Sequence, residues 1–532
     1  MKVVIVGGGA AGASCATRLR RLDEKAEIML LEKTAEHSVS TCGLPYYVGG
    51  VVEDRADMIS ATPLMFDKFF NIDVRTNTEI VSIDRKNKSV LTDTNEQIKY
   101  DKLVLATGSR VALPKINGME NLPYFTIKTL SDADSIKNFI KFNQVKSALI
   151  IGAGFSGIEM AENLAGIGIK TTVADISQHI LPTIDEDMVG PLEQELRSNG
   201  INLILECNIK EITSSGAVTD KNDLIPAEML ILASGTKPNT EIAVACGLKT
   251  AKGFVCVDEF MRTSDADIYA CGDIAEVTDF VSAQKTGGGL AGSANRQGRL
   301  IASHIAGRGY ETKPIQWSGV LKVFTQTVAF TGANEYILKK FGVNYQKMIV
   351  WTMSNAGYFP NAEWLSLKVI YNPINGKILG AQAVGKNGAE KRIDVISAVM
   401  KLGGTVKDLR DMELCYSPPY SNAKDAVNII GMAIDNVQSG LARPYFGTDF
   451  KGLTVLDVRS SSDYKNENIA GSINIPSGQI RERITEIPLD KPILVICYRG
   501  YLSYVVSRIL KQHGIENVSF YAGGWQQYKS QI

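Results

Sequence analysis

Two short glycine-rich segments, each followed at a fixed distance by an acid, are the first places where residue type and spacing specify chemistry. Gly7-Gly8-Gly9-Ala10-Ala11-Gly12 follows the apolar run Val3 to Val6, and Gly152-Ala153-Gly154-Phe155-Ser156-Gly157 follows Ala148 to Ile151. In a G-x-G-x-x-G turn the glycines, here Gly7, Gly9, Gly12 and Gly152, Gly154, Gly157, let the backbone approach a pyrophosphate at a helix N-terminus. Glu32 comes 20 residues after Gly12 and Asp175 comes 18 after Gly157, each closing an apolar run where an acid accepts hydrogen bonds from ribose hydroxyls. One such motif is weak, but two, each between a strand and a helix, specify two dinucleotide sites. A fixed cofactor and an exchangeable one, FAD plus NAD(P)H, fit that pairing. Asp175 is followed by Ile176 and Ser177 with no arginine nearby, which repels a 2′-phosphate, so NADH is expected over NADPH.

The elements that must position these turns follow from hydrophobic patterning. Each glycine turn sits in a strand–helix–strand unit, and the plan is duplicated: Lys102 to Ala106 runs into Thr107-Gly108-Ser109, and Met229 to Ala233 runs into Ser234-Gly235-Thr236. Ile268-Tyr269-Ala270 is a further short strand ending in Cys271-Gly272-Asp273, with a helix expected near Asn295 to Ile305. After Trp317 the pattern becomes strand-rich, with Leu365 to Tyr371 and Lys377 to Val384 joined by a turn. Gly and Pro punctuation from Ser439 to Gly447 marks a linker before a last α/β unit. The fold class is α/β with several domains, as 532 residues at roughly 150 per domain require.

Composition narrows the function classes. Lys plus Arg and Asp plus Glu each number 57, so the net charge is zero and nucleic-acid binding is disfavoured. The most apolar stretch, residues 148 to 169, is broken by Glu159, Glu162, Asn163 and five glycines, so no membrane partner is expected. The chain enters its first strand directly, with no signal-like segment, so a cytoplasmic location is expected. Eight cysteines (Cys15, Cys42, Cys207, Cys246, Cys256, Cys271, Cys415 and Cys497) form no Cys-x-x-Cys pair, and no metal site is expected.

The order of the first glycine turn with Glu32, Ala106-Thr107-Gly108, the second turn with Asp175, and Cys271-Gly272-Asp273 resembles the two-dinucleotide-binding flavoprotein disulfide reductases over about residues 1 to 435. The resemblance implies two Rossmann-like domains, FAD at the first turn, Asp273 on the flavin side, and Lys33, Thr107, Gly108 and Gly235 among the cofactor-binding residues. It implies an FAD domain in two parts, 1–112 and 251–322, an NADH domain 113–250 and an α+β dimerisation domain 323–438. Glutathione-reductase-like members carry Cys-x4-Cys, whereas Cys42 is followed at that position by Tyr47. Cys42-Gly43-Leu44-Pro45-Tyr46-Tyr47-Val48-Gly49-Gly50 looks like the active-site segment of coenzyme A-disulfide reductases, whose single cysteine cycles as a mixed disulfide with coenzyme A (CoA). The related single-cysteine oxidases and peroxidases carry a histidine in the first glycine turn, where this chain has Ala10. Tyr358, Tyr416 and Tyr420 look like the family's tyrosines that reach the other subunit's cysteine, which implies a homodimer with a shared active site. Arg18, Arg21, Ser38 and Thr41 are the implied substrate contacts. Two departures fall there: Thr41 stands where the family usually has Asn before the cysteine, and Phe69-Phe70 follows Lys68 where a basic residue is usual.

Leu456-Asp457-Val458-Arg459, Ile469 to Pro476, Cys497-Tyr498-Arg499-Gly500-Tyr501-Leu502-Ser503 and Ala522-Gly523-Gly524-Trp525 resemble a rhodanese domain, here 450–532 after a 439–449 linker. A cysteine between a strand end and a helix start is surrounded by N–H groups that favour a thiolate or persulfide anion. Many rhodaneses have Arg where Leu502 stands. Together the resemblances imply an FAD-dependent NADH oxidoreductase acting through Cys42 on a small thiol-derived substrate: CoA disulfide, CoA persulfide or polysulfide. Cys497 would carry sulfane sulfur, and CoA would be substrate or bound thiol. An NADH oxidase reducing O2 and a sulfur-relay or redox-sensing protein are the alternatives.

Overall fold

A computed structural model describes residues 1–532, and the chain divides into two compact units, Met1–Ile180 with Asn199–Ile315 and Leu181–Ser198 with Gln316–Ile532. The first unit contains the duplicated plan. One five-stranded sheet has Lys2–Val6 at its centre, Lys102–Leu105 and Ile268–Ala270 on one side, and Glu27–Leu31 and Asp73–Arg75 on the other, all parallel. Its central residues Val3, Val4 and Ile5 are fully buried, as a parallel strand covered on both faces requires. The second sheet repeats the order: Ser147–Ile151 at the centre, Met229–Leu232 and Tyr124–Thr126 on one side, Lys170–Ala174 and Asn202–Ile204 on the other. Each has a three-stranded antiparallel meander, Ile80–Asp84 to Gln97–Lys99 and Ile209–Thr213 to Leu224–Pro226, just before the strand that leads into its second glycine turn. The helices Ala10–Leu22 and Ala291–Ile305 pack so closely that a Cβ on Gly298 would collide with the Ala11 carbonyl oxygen.

The second unit holds two sheets. The five-stranded antiparallel sheet runs in the order Gly319–Val323, Gln326–Gly332, Ile378–Gly385, Trp364–Tyr371, Gln346–Met353, with the helices Ala389–Lys401 and Ala426–Gln438 packed on it. The helix Glu186–Ser198 belongs to this unit although it lies within the expected NADH domain. What ties it there is charge: Asp185 and Asp187 converge with Glu335 on the fully buried Lys368, whose Nζ lies 2.8, 2.5 and 2.5 Å from their carboxylates. A lysine ammonium occupies the position that three converging carboxylates would otherwise offer a cation.

The last sheet is parallel, in the order Pro444–Tyr445, Val518–Tyr521, Ile493–Ile496, Thr454–Asp457, Ile473–Asn474. Its edge strand lies inside the expected 439–449 linker, which is therefore only partly a linker. The Pro and Gly signals marked a boundary, but proline is tolerated on an edge strand and Pro444 takes that place. No helix is long and apolar enough to cross a membrane.

Candidate active sites

The two glycine turns are built alike. Gly7 and Gly152 have φ of +105° and +116°, and a Cβ on either would collide with the carbonyl oxygen of Ala106 or Ala233 on the neighbouring strand. A Cβ on Gly12 or Gly157 would strike the carbonyl of Gly7 or Gly152, whereas Gly9 and Gly154 face open space. The helices that begin there, Ala10–Leu22 and Phe155–Gly166, have neither a side-chain cap nor an acid in the first turn. No side chain caps either helix start, and Gly9 and Gly154 leave open space there, the environment a pyrophosphate needs. The acids brace the turns: Glu32 accepts from the Gly8 N–H at 2.8 Å and from Thr34, and Asp175 accepts from the Ala153 N–H at 2.6 Å and the Ser177 N–H at 2.7 Å. The residues present fit two dinucleotides.

Around the first sheet, Asp273 accepts from the Ser109 hydroxyl and lies 3.5 Å from the Lys128 ammonium. Thr107 and Asn239 exchange hydrogen bonds of 2.6 and 2.9 Å, which holds Gly108 in its left-handed turn at φ +64°. Gly235, at φ +95°, makes the matching turn after the second sheet. Lys33 is exposed.

Cys42 is exposed in the short turn Thr41–Gly43 that opens the helix Leu44–Val48. That helix lies on Phe155–Gly166: Gly49 is so close that a Cβ there would come within 2.5 Å of the Asn163 side-chain oxygen. The candidate thiol is therefore carried on an element that rests on the helix following the second glycine turn. Two residues to which the sequence assigned no site role stand here. The Tyr46 hydroxyl lies 3.5 Å from Glu159. Burial, with Glu159 and Glu162 adding, pushes the Tyr46 hydroxyl up to about 12, and burial pushes the Glu159 carboxyl up to about 7. Their spacing, Tyr46 four residues after Cys42 and Glu159 two after Gly157, could have signalled them.

Ser38 takes a left-handed φ of +56°, held by its N–H to the Gly8 carbonyl at 2.8 Å and its hydroxyl to His37 at 2.9 Å. Such strain in a non-glycine residue gathers at functional loops. Thr41 is exposed beside Cys42. Of the arginines on the first helix, Arg20 is structural, donating to the carbonyls of Phe70, Asn71, Asp23 and Glu24. Arg18 instead has a buried Nε without a partner, and Arg21 lies over the Phe70 ring at 5.9 Å. Burial lowers the Arg21 guanidinium and the positive charges of Arg18 and Arg299 lower it further. Arg299 thus completes a cationic cluster that sequence spacing did not reveal. Phe70, one of the two aromatic departures, forms its floor.

In the second unit, Tyr358, Tyr416 and Tyr420 are all exposed, and the neighbouring Tyr416 raises the Tyr358 hydroxyl above its ordinary range. Tyr358 sits on the loop between Gln346–Met353 and Trp364–Tyr371, whose base closes by the Ser354 N–H on the Glu363 carbonyl at 2.7 Å. The Asn355 and Asn422 side chains stitch that loop to the segment of Tyr416 and Tyr420. Beneath it, the buried Arg392 pairs with Asp425 at 2.7 Å and donates to the Ser354 carbonyl at 2.6 Å. The structure brings the three tyrosines together in one unit and Cys42 with the cationic cluster and glycine turns in the other. Cys415, beside Tyr416, is the other exposed cysteine. Cys15 and Cys271 are buried, and burial pushes both thiols up, Cys271 to about 12.

Cys497 lies buried at the end of Ile493–Ile496, before the helix Tyr501–Gln512. The Gly500 N–H points at its sulfur at 3.1 Å, and the Ser503 hydroxyl lies 3.6 Å away. Gly524 closes the loop from behind, where a Cβ would lie 2.6 Å from the Cys497 carbonyl oxygen. Arg499, the loop's cation, lies over the Trp364 ring at 3.3 Å from its centroid and near the Tyr498 ring at 4.5 Å.

Comparison with known proteins agrees with this layout. Residues 1–298 match the pyridine nucleotide-disulphide oxidoreductase model, 320–427 the dimerisation domain of that family, and 447–531 the rhodanese-like domain. The chain is 37% identical over 437 residues to coenzyme A disulfide reductase of Staphylococcus aureus, covering 81% of this chain and 99% of that protein. Reduced Bacillus anthracis CoADR-RHD superposes with a TM-score of 0.97 at 38% identity, over 100% of this chain and 98% of that one. The NAD-dependent persulfide reductase from A. fulgidus follows with a TM-score of 0.95 at 36% identity, over 99% and 100%. The water-forming NADH oxidase of Lactobacillus brevis reaches a TM-score of 0.78 at 26% identity, over 83% and 99%. With paired glycine turns, a single cysteine at position 42 and an appended cysteine loop, the chain belongs to the pyridine nucleotide-disulphide oxidoreductase family and carries a dimerisation domain and a C-terminal rhodanese-like domain.

Proposed function

We propose that this protein is a homodimeric, NADH-dependent reductase that acts through Cys42 on CoA persulfide and CoA disulfide, with Cys497 supplying sulfane sulfur. One observation carries the reading: likeness over nearly the whole chain to both CoADR-RHD and a persulfide reductase, joined to an exposed Cys42 with Tyr47 in place of a second cysteine. FAD, when bound, supplies the two-electron relay between NADH and the thiol. Gly7, Gly9, Gly12 and Glu32 hold its pyrophosphate and ribose, with Thr107, Gly108 and Asp273 on the flavin side and Lys33 at the rim. Gly152, Gly154, Gly157, Asp175 and Gly235 take NADH, and the absence of arginine after Asp175 supports NADH over NADPH. In domain terms, 1–112 and 251–322 serve FAD, 113–250 NADH, 323–438 dimerisation and 450–532 sulfur carriage.

Cys42 thiolate attacks CoA disulfide, forming a Cys42–CoA mixed disulfide and releasing one CoA thiolate. Two electrons and two protons then free the second CoA. With CoA persulfide the same electrons and protons give CoA thiol and hydrogen sulfide. Arg18, Arg21 and Arg299 suit the phosphates of CoA, Ser38 and Thr41 flank its thiol arm, and the Tyr358 and Tyr416 hydroxyls, with Tyr420 close to Tyr416 in sequence, protonate the departing thiolate from the second subunit. A fused sulfur carrier adds nothing to a plain disulfide cycle, which favours persulfide as the acceptor. The test is NADH oxidation with each acceptor in Cys42→Ser: loss of both activities is expected, and retained persulfide reduction would overturn the proposal.

A further inference from the structure

The loop around Cys497 carries an unusual charge arrangement for a group that must bind a sulfur donor. Residues 497–503 hold a single cation, Arg499, and its guanidinium lies on the Trp364 ring at 3.3 Å, flanked by Tyr498. Arg459 is likewise committed, in a buried pair with Asp457 at 2.6 Å and over Trp525 at 3.8 Å. What the loop presents to solvent is aromatic and aliphatic: Tyr498, Tyr501 and Leu502 are 39, 73 and 43% exposed, with Trp364 beside them at 36%. The Gly500 N–H donates to the sulfur at 3.1 Å, a dipole that suits a persulfide anion on Cys497 itself, while the Ser503 hydroxyl is spent on the Gly500 carbonyl at 2.7 Å.

Building on the reading of Cys497 as a sulfur carrier, we infer that it takes its sulfur from an organic persulfide on an uncharged arm, and not from thiosulfate or another small inorganic anion. Trp364 and Leu502 are the residues that set this choice. Trp364 holds Arg499 by a cation–π contact worth more as it is desolvated, and Leu502 leaves an apolar surface for the arm of the donor. The transfer is a displacement without net oxidation. Cys497 thiolate attacks the outer sulfur of the donor, a new S–S bond forms at Cys497, and the donor S–S bond breaks. Its electron pair leaves on the donor thiolate, which takes a proton from water. With thiosulfate the leaving group would be sulfite, and the one cation of residues 497–503, Arg499, is held against the Trp364 ring.

The test loads the full-length protein with either N-acetylcysteamine persulfide or thiosulfate and follows the sulfur adduct on the Cys497 peptide by mass spectrometry. The wild type is expected to load from the organic persulfide and only slowly from thiosulfate. Leu502→Arg, at an exposed position, is expected to raise thiosulfate loading on the order of tenfold, as a charge placed near a bound anion should. Trp364→Ala, which frees Arg499, is expected to act in the same direction, while Leu502→Gln, of similar length without charge, is not. Wild-type loading from thiosulfate as fast as from the organic persulfide, or Leu502→Arg leaving the preference unchanged, would overturn the inference. Loading from neither donor would instead overturn the sulfur-carrier reading beneath it.

Discussion

Cys42 and Cys497 do different work because their surroundings differ. Cys42 is exposed in a short turn that opens a helix of the first unit, and Cys497 is buried in the second, where the Gly500 N–H donates to its sulfur. Cys497→Ser is therefore expected to keep NADH-dependent reduction of CoA disulfide within about twofold, since Cys497 takes no part in the proposed CoA-disulfide cycle, while abolishing sulfur loading at position 497; assays with CoA disulfide and a persulfide donor separate the two. Glu159 gives a second expectation. Burial raises its folded carboxyl to about 7. The folded protein then binds more protons than the unfolded chain between the ordinary carboxylate range and about 7, so this group's contribution favours folding at low pH and is lost as pH rises through that window. Glu159→Gln should flatten the melting temperature over that interval, and an unchanged slope would contradict the assignment.

At the scale of elements, the glycine turns were legible in sequence because their chemistry is local. A strand, a turn and a helix lie within residues 2–22 and again within 147–166, and the structure shows why the turn rejects other residues. Gly152→Ala places a Cβ against the Ala233 carbonyl at φ +116°. The expected result is retained FAD with KM for NADH raised about tenfold or more, as a left-handed φ costs roughly 1–2 kcal/mol before any collision; equal loss of FAD would contradict the division of the two turns. Features made by residues distant in sequence were not legible. Lys368 meets carboxylates at 185, 187 and 335, and no local pattern relates those positions. The Arg499–Trp364 stack joins two domains and was invisible for the same reason, as was the strand role of Pro444 within an expected linker. Lys368→Met leaves the buried Asp185 without its cation, while Lys347 still pairs with Asp187 and Glu335, and should destabilise the fold by about 3–5 kcal/mol in denaturant titration. Burial pushes the Glu335 carboxyl up, but Lys368 and Lys347 outweigh it and hold it down at about 2. The stability Glu335 contributes is thus complete above the ordinary carboxylate range and is lost as pH falls towards about 2.

At the scale of the whole molecule, two elements of the proposed reduction lie in separate units of one chain, Cys42 in the first and the tyrosine cluster in the second. If each site takes Cys42 from one subunit and the tyrosines from its partner, neither Cys42→Ser nor the double variant Tyr358→Phe, Tyr416→Phe should be active alone. A mixed dimer of the two has one whole site and should recover about half of the wild-type turnover; no recovery in purified mixed dimers would contradict a shared site. The most direct test of the central claim is peptide-mapped mass spectrometry of the full-length protein treated with CoA disulfide and then with NADH. A CoA adduct should form on Cys42, be absent from Cys415 and Cys497, and disappear when NADH is added. NADH-driven release of CoA while Cys42 remains unmodified throughout would contradict the account.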